Sequence, residues 1–315
     1  MDLLKNLVLS VLLVIGLTVN IITVRIISKK KLRKNPFNRH LWCLITVDML
    51  TILTYLPNLW VKESCKQTNY YKAFYKAYIK SNMVYYSKYI TLYILLNLTL
   101  DRFMGICKKD WHRIMLKYSN FRLMFIWVLV TVSIIPGIAW GEINFVDGTY
   151  EARSISRVEI NPKIKIYKGY ILIAMLILPA TVLMALSGAI TYKVIKTTRN
   201  LRHRTVYVRN SIAVLIANIT FVGIMSLVGS ILYTVNYKTS CYADEKTEIL
   251  LLIGQAIMLS WSTINMLLFI TICHEYRKTA KEILRKLKLS ERLSLAQVPI
   301  AHLANKWRMN NAYEG

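Results

Sequence analysis

Acidic residues are scarce in this chain. Asp and Glu number 16 against 42 Lys and Arg, a formal net charge of +26. Such an excess invites a nucleic-acid partner, but the placement of the charge argues against one. Basic residues gather in four stretches, Lys29 to Arg39, Lys108 to Arg122, Lys193 to Arg204 and Arg277 to Lys288, each following a long apolar run. Glu63, Glu142, Asp147, Glu151, Glu159, Asp244, Glu245 and Glu248 lie in the alternate segments. Histidine offers no metal or enzyme constellation: His40, His112, His203, His274 and His302 lack ligand spacing and pair with no serine or cysteine nucleophile. Neither a metal nor a cofactor is expected. The two Asn-x-Ser/Thr matches, Asn97-Leu98-Thr99 and Asn218-Ile219-Thr220, fall inside apolar runs, so glycosylation is not expected. The first apolar run, although preceded by Lys5, is too long for a signal-peptide core and no small-residue cleavage site follows it. It reads as a retained span.

What the chain has in abundance is apolar sequence, 55% of its residues. Runs long enough to cross a bilayer occur at Leu7 to Ile27, Leu41 to Val61, Met83 to Leu100, Leu123 to Ala139, Tyr170 to Ile190, Ile212 to Tyr233 and Ile249 to Ile272. The expected fold is all-α, a bundle of seven transmembrane helices. Alternating spans put all four basic stretches on one side, which makes that side cytosolic and the N-terminus extracellular. After span seven, Cys273 to Leu289 spaces leucines among lysines and arginines, the pattern of a short amphipathic helix on anionic inner-leaflet lipid. Residues 1–290 form the membrane domain and 291–315 a cytoplasmic tail.

Span three is the expected axis. Its run from Ser81 to Cys107 carries Lys88 deep in the membrane and ends in Asp101-Arg102-Phe103 at the inner boundary, with the outer boundary near Lys80. Span two carries Asp48 at mid-membrane and Pro57 a few turns later, where a missing backbone donor either opens a cavity or merely kinks the helix. Gly141 to Lys168 is the longest outer loop, charged in both signs and free of cysteine.

Asp48, Asp101-Arg102-Phe103, Trp127 in span four, Pro179 in span five, Asn20 in span one, and Ser262 with Asn265 in span seven together resemble a rhodopsin-like G-protein-coupled receptor, over roughly Leu7 to Leu289. The resemblance implies G-protein coupling through Asp101, Arg102 and Phe103. It also implies an internal polar site of Asn20, Asp48, Thr91, Ser262 and Asn265, where family members commonly bind sodium. The departures are specific. Phe103 replaces tyrosine, and Asn265-Met266-Leu267-Leu268-Phe269 lacks the family's proline and terminal tyrosine. Met225 and Leu227 stand where span six usually has tryptophan and proline. Val84 and Leu259 replace the amine-binding aspartate and the retinal lysine, so neither ligand class fits.

The ligand mouth is expected at Val84, Tyr85, Lys88, Tyr89 and Met225. There a buried cation suits a carboxylate, phosphate or acidic peptide side chain, and tyrosines offer rigid contacts. Lys80 is read as snorkelling to headgroups. For Lys88 two readings stand: an internal counter-ion one turn from Thr91 that reaches down to Asp48, or a cation that meets an acidic ligand group. The family's staple between span three and the second outer loop is absent, since Ala77 stands near that helix end. Cys65 and Cys241 alone face the oxidising side; a bond between them and two free thiols both stay open.

The leading expectation is a plasma-membrane receptor for an extracellular ligand, favouring a peptide of the kind neuropeptide receptors take, that activates a heterotrimeric G protein. A chemosensory receptor for small molecules is the alternative within the family. A transporter or channel is the alternative from another class, and it is weakened because only Asp48 and Lys88 lie deep.

Overall fold

The computed structural model describes residues 2–29, 36–59, 66–107, 109–139, 141–153, 162–198, 245–272, 276–283 and 285. Span six, with Met225, lies outside them, as do Cys65, Cys241 and the tail 291–315. On the charge pattern, the end of the bundle carrying Asp101 is expected to be the inner one.

Span one is Asp2–Ile27 and span two Pro36–Tyr55, which tightens into a 3-10 turn over Leu56–Leu59. Pro57 falls in that turn, where a residue without a backbone N–H ends the α-helical ladder. Polar side chains enter the first two spans at little cost because they bond back to the turn below. Thr18, Asn20, Thr23 and Thr51 each donate to the carbonyl four residues earlier, at 2.7–3.0 Å. Gly16 lets spans one, two and seven close up: a Cβ there would sit 3.1 Å from Ile52 Cδ1 and 3.2 Å from Thr263 Oγ1.

Span three is longer than the apolar run suggests. It begins at Tyr70, where the Asn69 side chain accepts from Tyr71 N at 2.8 Å, and runs to Cys107 through a π-helical stretch at Tyr75–Lys80. The helix therefore extends beyond Lys80. Tyr75, Lys76 and Ala77 are buried in this extension, and the Tyr75 hydroxyl donates to Thr54 O of span two. Span three packs against spans two, four and five, while span one packs against two and seven. Its role as axis is thus visible in the packing.

A nine-residue helix, Lys109–Lys117, follows on the inner side. Span four is Ser119–Ala139, with Pro136 inside it. The helix of span five starts at Pro162, passes through a π-helical stretch at Ile171–Ile177, and continues as Leu178–Thr198. Pro179 stands at that change of pitch, as a residue lacking its N–H would. Span seven is Glu245–Ile272, and residues 276–283 are helical after it. There Tyr276 is buried and donates to Asn38 Oδ1 at the inner end of span two, while Ala280 and Ile283 pack on the core.

The all-α expectation omits an outer sheet. Glu142–Val146 (β2) and Thr149–Arg153 (β3) form a hairpin, and Lys66–Gln67 (β1) pairs antiparallel with β3 in the order β1-β3-β2. The turn is Asp147-Gly148, both left-handed at φ 49° and 74°, the mirror-image geometry that matches strand twist. Lys66 opposite Glu151 and Gln67 opposite Tyr150 join the first outer loop to the second by backbone hydrogen bonds. Tyr150 lies 5.8 Å from the Tyr70 ring and 5.0 Å from Phe145, so the sheet rests on the outer end of span three.

Candidate functional site

At the outer half of span three, Tyr85, Lys88 and Tyr89 fall at i, i+3 and i+4 and so share a face. The rings of Tyr85 and Tyr89 stack at 6.2 Å and 16°, and Lys88 Nζ stands 5.5 Å from the Tyr85 centroid. Lys88 is 9% exposed and Tyr89 6%. Val84 lies beside them, half-buried against the core. On the adjoining face, Tyr86 meets the Trp127 ring edge-on at 6.1 Å and bonds Thr131 Oγ1 at 3.0 Å, while Tyr93 donates to Ala174 O of span five at 3.0 Å. Sequence reading missed Tyr86 because nothing in Tyr85-Tyr86-Ser87-Lys88-Tyr89 marks which ring faces span four.

The expected Lys88–Asp48 ion pair is not formed. The ammonium instead stands against the ring of Tyr85, three residues earlier on the same helix. Among the described residues Lys88 has neither a hydrogen bond nor an ion pair. Asp48 is 3% exposed and its Oδ2 is buried with no hydrogen-bond partner there. Thr91 and Asn20 are buried too, Asn20 Nδ2 donating to Gly16 O at 3.0 Å. Ser262 and Asn265 lie on the span-seven helix, and their side chains are outside the described residues.

The inner end carries the densest polar network, and most of it was not anticipated. Asp101 Oδ1 accepts from Arg122 Nη2 at 2.5 Å. The same guanidinium gives Nη1 to Asn97 Oδ1 at 2.6 Å and Nη2 to Met115 O of the inner helix at 3.1 Å. Because Asn97 Oδ1 accepts from arginine, its amide nitrogen faces His40 Nε2, 2.9 Å away, and His40 must accept. His40 Nε2 also comes within 3.4 Å of Asp101 Oδ2. His40 is 1% exposed, Asn97 6% and Asp101 7%. Arg39 adds a second tie, Nη1 to Asn120 Oδ1 at 3.0 Å. The Arg122 guanidinium thus ties span four to span three and to the inner helix, and span two joins the network through His40 and Asn97. Arg102 and Phe103 follow directly, both half-buried.

Asn97 was legible one turn before Asp101, on the same face. Arg122 was read only as topology charge, although an arginine opening an apolar run is expensive without a partner. Among the described residues no cluster of His, Cys, Asp and Glu could hold a transition metal, and Cys43 and Cys107 are free thiols.

Comparison with known proteins agrees with this architecture. No curated protein gives a match. The family model described as 7 transmembrane receptor (rhodopsin family) matches residues 19–269, most of the chain, from the first span to the end of the seventh. Four described helices are by themselves long and apolar enough to cross a membrane, Asn6–Ile27, Tyr70–Cys107, Ser119–Ala139 and Ile173–Lys193. With Asp101-Arg102-Phe103 closing a central third span, this chain belongs to the rhodopsin family of seven-transmembrane receptors.

Proposed function

We propose that this receptor binds a peptide from outside the cell, with its N-terminus extracellular and its tail cytosolic, and activates a heterotrimeric G protein through Arg102. The observation that carries the ligand class is Lys88: a buried ammonium over a stacked tyrosine pair, with no anion supplied by the described residues. An acidic side chain or terminal carboxylate would complete it. The outer sheet, with Lys66, Glu142, Glu151 and exposed Phe145, together with exposed Tyr71 at the start of span three, offers the mixed charge and aromatic surface that a peptide can engage beyond a single pocket. A screen of peptides against several G-protein reporters in one cell tests this. Acidic peptides should score on wild type and lose response on Lys88→Met; hits confined to uncharged small molecules would overturn it.

Orientation follows from the basic inner segments. An epitope after Met1 should be labelled on intact cells, and one after Gly315 only after permeabilisation. The reverse pattern would refute the assignment.

Asp48 fits the sodium site that family members commonly carry, since a buried carboxylate oxygen lacks a partner and Lys88 does not supply the charge. Sodium compared with N-methylglucamine at constant ionic strength should stabilise the purified receptor by roughly 1–3 kcal/mol. The effect should vanish in Asp48→Asn. An equal response in both proteins would count against the site.

A further inference from the structure

The inner helix Lys109–Lys117 has two unlike sides. His112, Met115 and Leu116 are half-buried, whereas Trp111, Ile114 and Tyr118, which directly follows the helix, are exposed. These three open a ladder of exposed apolar side chains three or four residues apart, and it continues through Phe121, Phe125 and Val128 of span four. Such spacing stays on one side only where the helical backbone carries through. Here it does: Tyr118 N donates to Ile114 O at 3.3 Å and Arg122 N to Tyr118 O at 3.0 Å, across the boundary between the two helices. Arg122 Nη2, on Met115 O at 3.1 Å, fixes the join. In span four this side lies opposite buried Leu123, Ile126 and Val130, so in a membrane receptor it faces lipid. The stripe on the inner helix extends that lipid-facing surface. Arg113 and Lys117, four residues apart, are exposed beside Ile114, and Lys117 Nζ stands 5.9 Å from the Tyr118 ring centroid. Residues 108–117 hold four Lys or Arg against one Asp, so the border of the stripe is basic. Apolar side chains edged by cations match a leaflet with anionic headgroups. A cytosolic protein fits less well, because the stripe runs without a break into the acyl-chain region.

We propose that the inner helix is a binding site for anionic phospholipid: Trp111, Ile114 and Tyr118 enter the leaflet at the Asp101 end of the bundle, and Arg113 and Lys117 meet its anionic headgroups. That leaflet is the inner one in the orientation proposed above, and only its name rests on that orientation. The anchor sets the depth of the segment that follows Asp101-Arg102-Phe103.

The test uses the purified full-length receptor in nanodiscs of phosphatidylcholine, with or without about 30% phosphatidylserine, and needs no ligand. Two readouts are taken. The first is the emission of Trp111, obtained by difference from Trp111→Phe. Brominated acyl chains should quench at least about half of it, since an interfacial helix buries its apolar face about 5–10 Å into the leaflet. The second is amide hydrogen exchange across residues 109–117. Phosphatidylserine should slow it about tenfold, and the gain should disappear at about 0.5 M salt and in Arg113→Gln with Lys117→Gln. Both of those side chains are exposed, so exchange within span four should match wild type and certify the fold. Trp111 emission that bromination leaves unchanged overturns the proposal. So does exchange that is equal in the two lipids, even with Trp111 inserted, because the contact would then not select anionic headgroups. Exchange slowed only by an added G-protein heterotrimer would assign the face to that protein instead, and also overturns it. Nanodiscs carry the same lipids on both faces, so these results hold in either orientation. Reversed epitope labelling would rename the leaflet and leave the lipid site standing.

Discussion

Arg102→Ala is expected to abolish G-protein activation while surface expression stays within about twofold of wild type. The residue is half-buried at the inner boundary of span three, the central helix of the bundle. Its neighbour Asp101 draws its charge from Arg122, so truncating Arg102 leaves that buried pair intact. The tie between spans three and four should therefore survive the change. What is lost is a charged side chain able to donate several hydrogen bonds to a partner's backbone. Truncating such a group in a desolvated contact costs about 3 kcal/mol, roughly a hundredfold in affinity for the G protein. Agonist affinity measured without G protein should be unchanged. Wild-type signalling from Arg102→Ala, at matched surface density, would remove the coupling role from this motif and leave the family membership standing.

The parts of this molecule that were legible in sequence are those in which a residue's neighbours along the chain determine its surroundings. Span three could be read as an axis because an apolar run of bilayer length ending in Asp101-Arg102 fixes both depth and direction. The outer hairpin was legible and was read as loop: Asp147-Gly148 between Ile143, Phe145 and Tyr150 is a strong two-residue turn signal, but charges of both signs in the segment masked the alternation. Its pairing with Lys66–Gln67 was not legible, since nothing local links residues so far apart. The Arg122 network failed for the same reason. Arg122 follows Asn97 by 25 positions and Asp101 by 21, and only the return of span four alongside span three brings them together. Arg122 and Lys117 look alike as positive-inside charges; burial distinguishes them, and burial is tertiary.

Lys88 shows the limit at the scale of one side chain, and it carries the other large effect. Helical spacing places its Cα one turn outward of Thr91, but four rotatable bonds let the ammonium go down to Asp48 or up to Tyr85, and the sequence does not choose. In the structure it stands against Tyr85. A lysine at mid-bilayer costs about 2.5–3.5 kcal/mol on insertion scales. The Tyr85 face returns about 0.5–2 kcal/mol of that. Replacing the side chain by the similarly shaped, uncharged methionine should then stabilise the ligand-free receptor by about 1–2 kcal/mol, a rise in melting temperature of about 2–8 °C for a chain of this size. The same change should weaken an acidic agonist by about 2–5 kcal/mol, since it removes the buried cation beside the Tyr85–Tyr89 pair. Lys88→Arg should retain most of the agonist response. The absence of an Asp48 pair has its own consequence. Stability effects of Lys88→Met and Asp48→Asn should add to within about 0.5 kcal/mol, as they do for sites without a shared partner. A double variant markedly more stable than that sum, or a Lys88→Met receptor that melts below wild type, would show that the ammonium serves the fold, and the ligand would then have to find its counter-charge elsewhere.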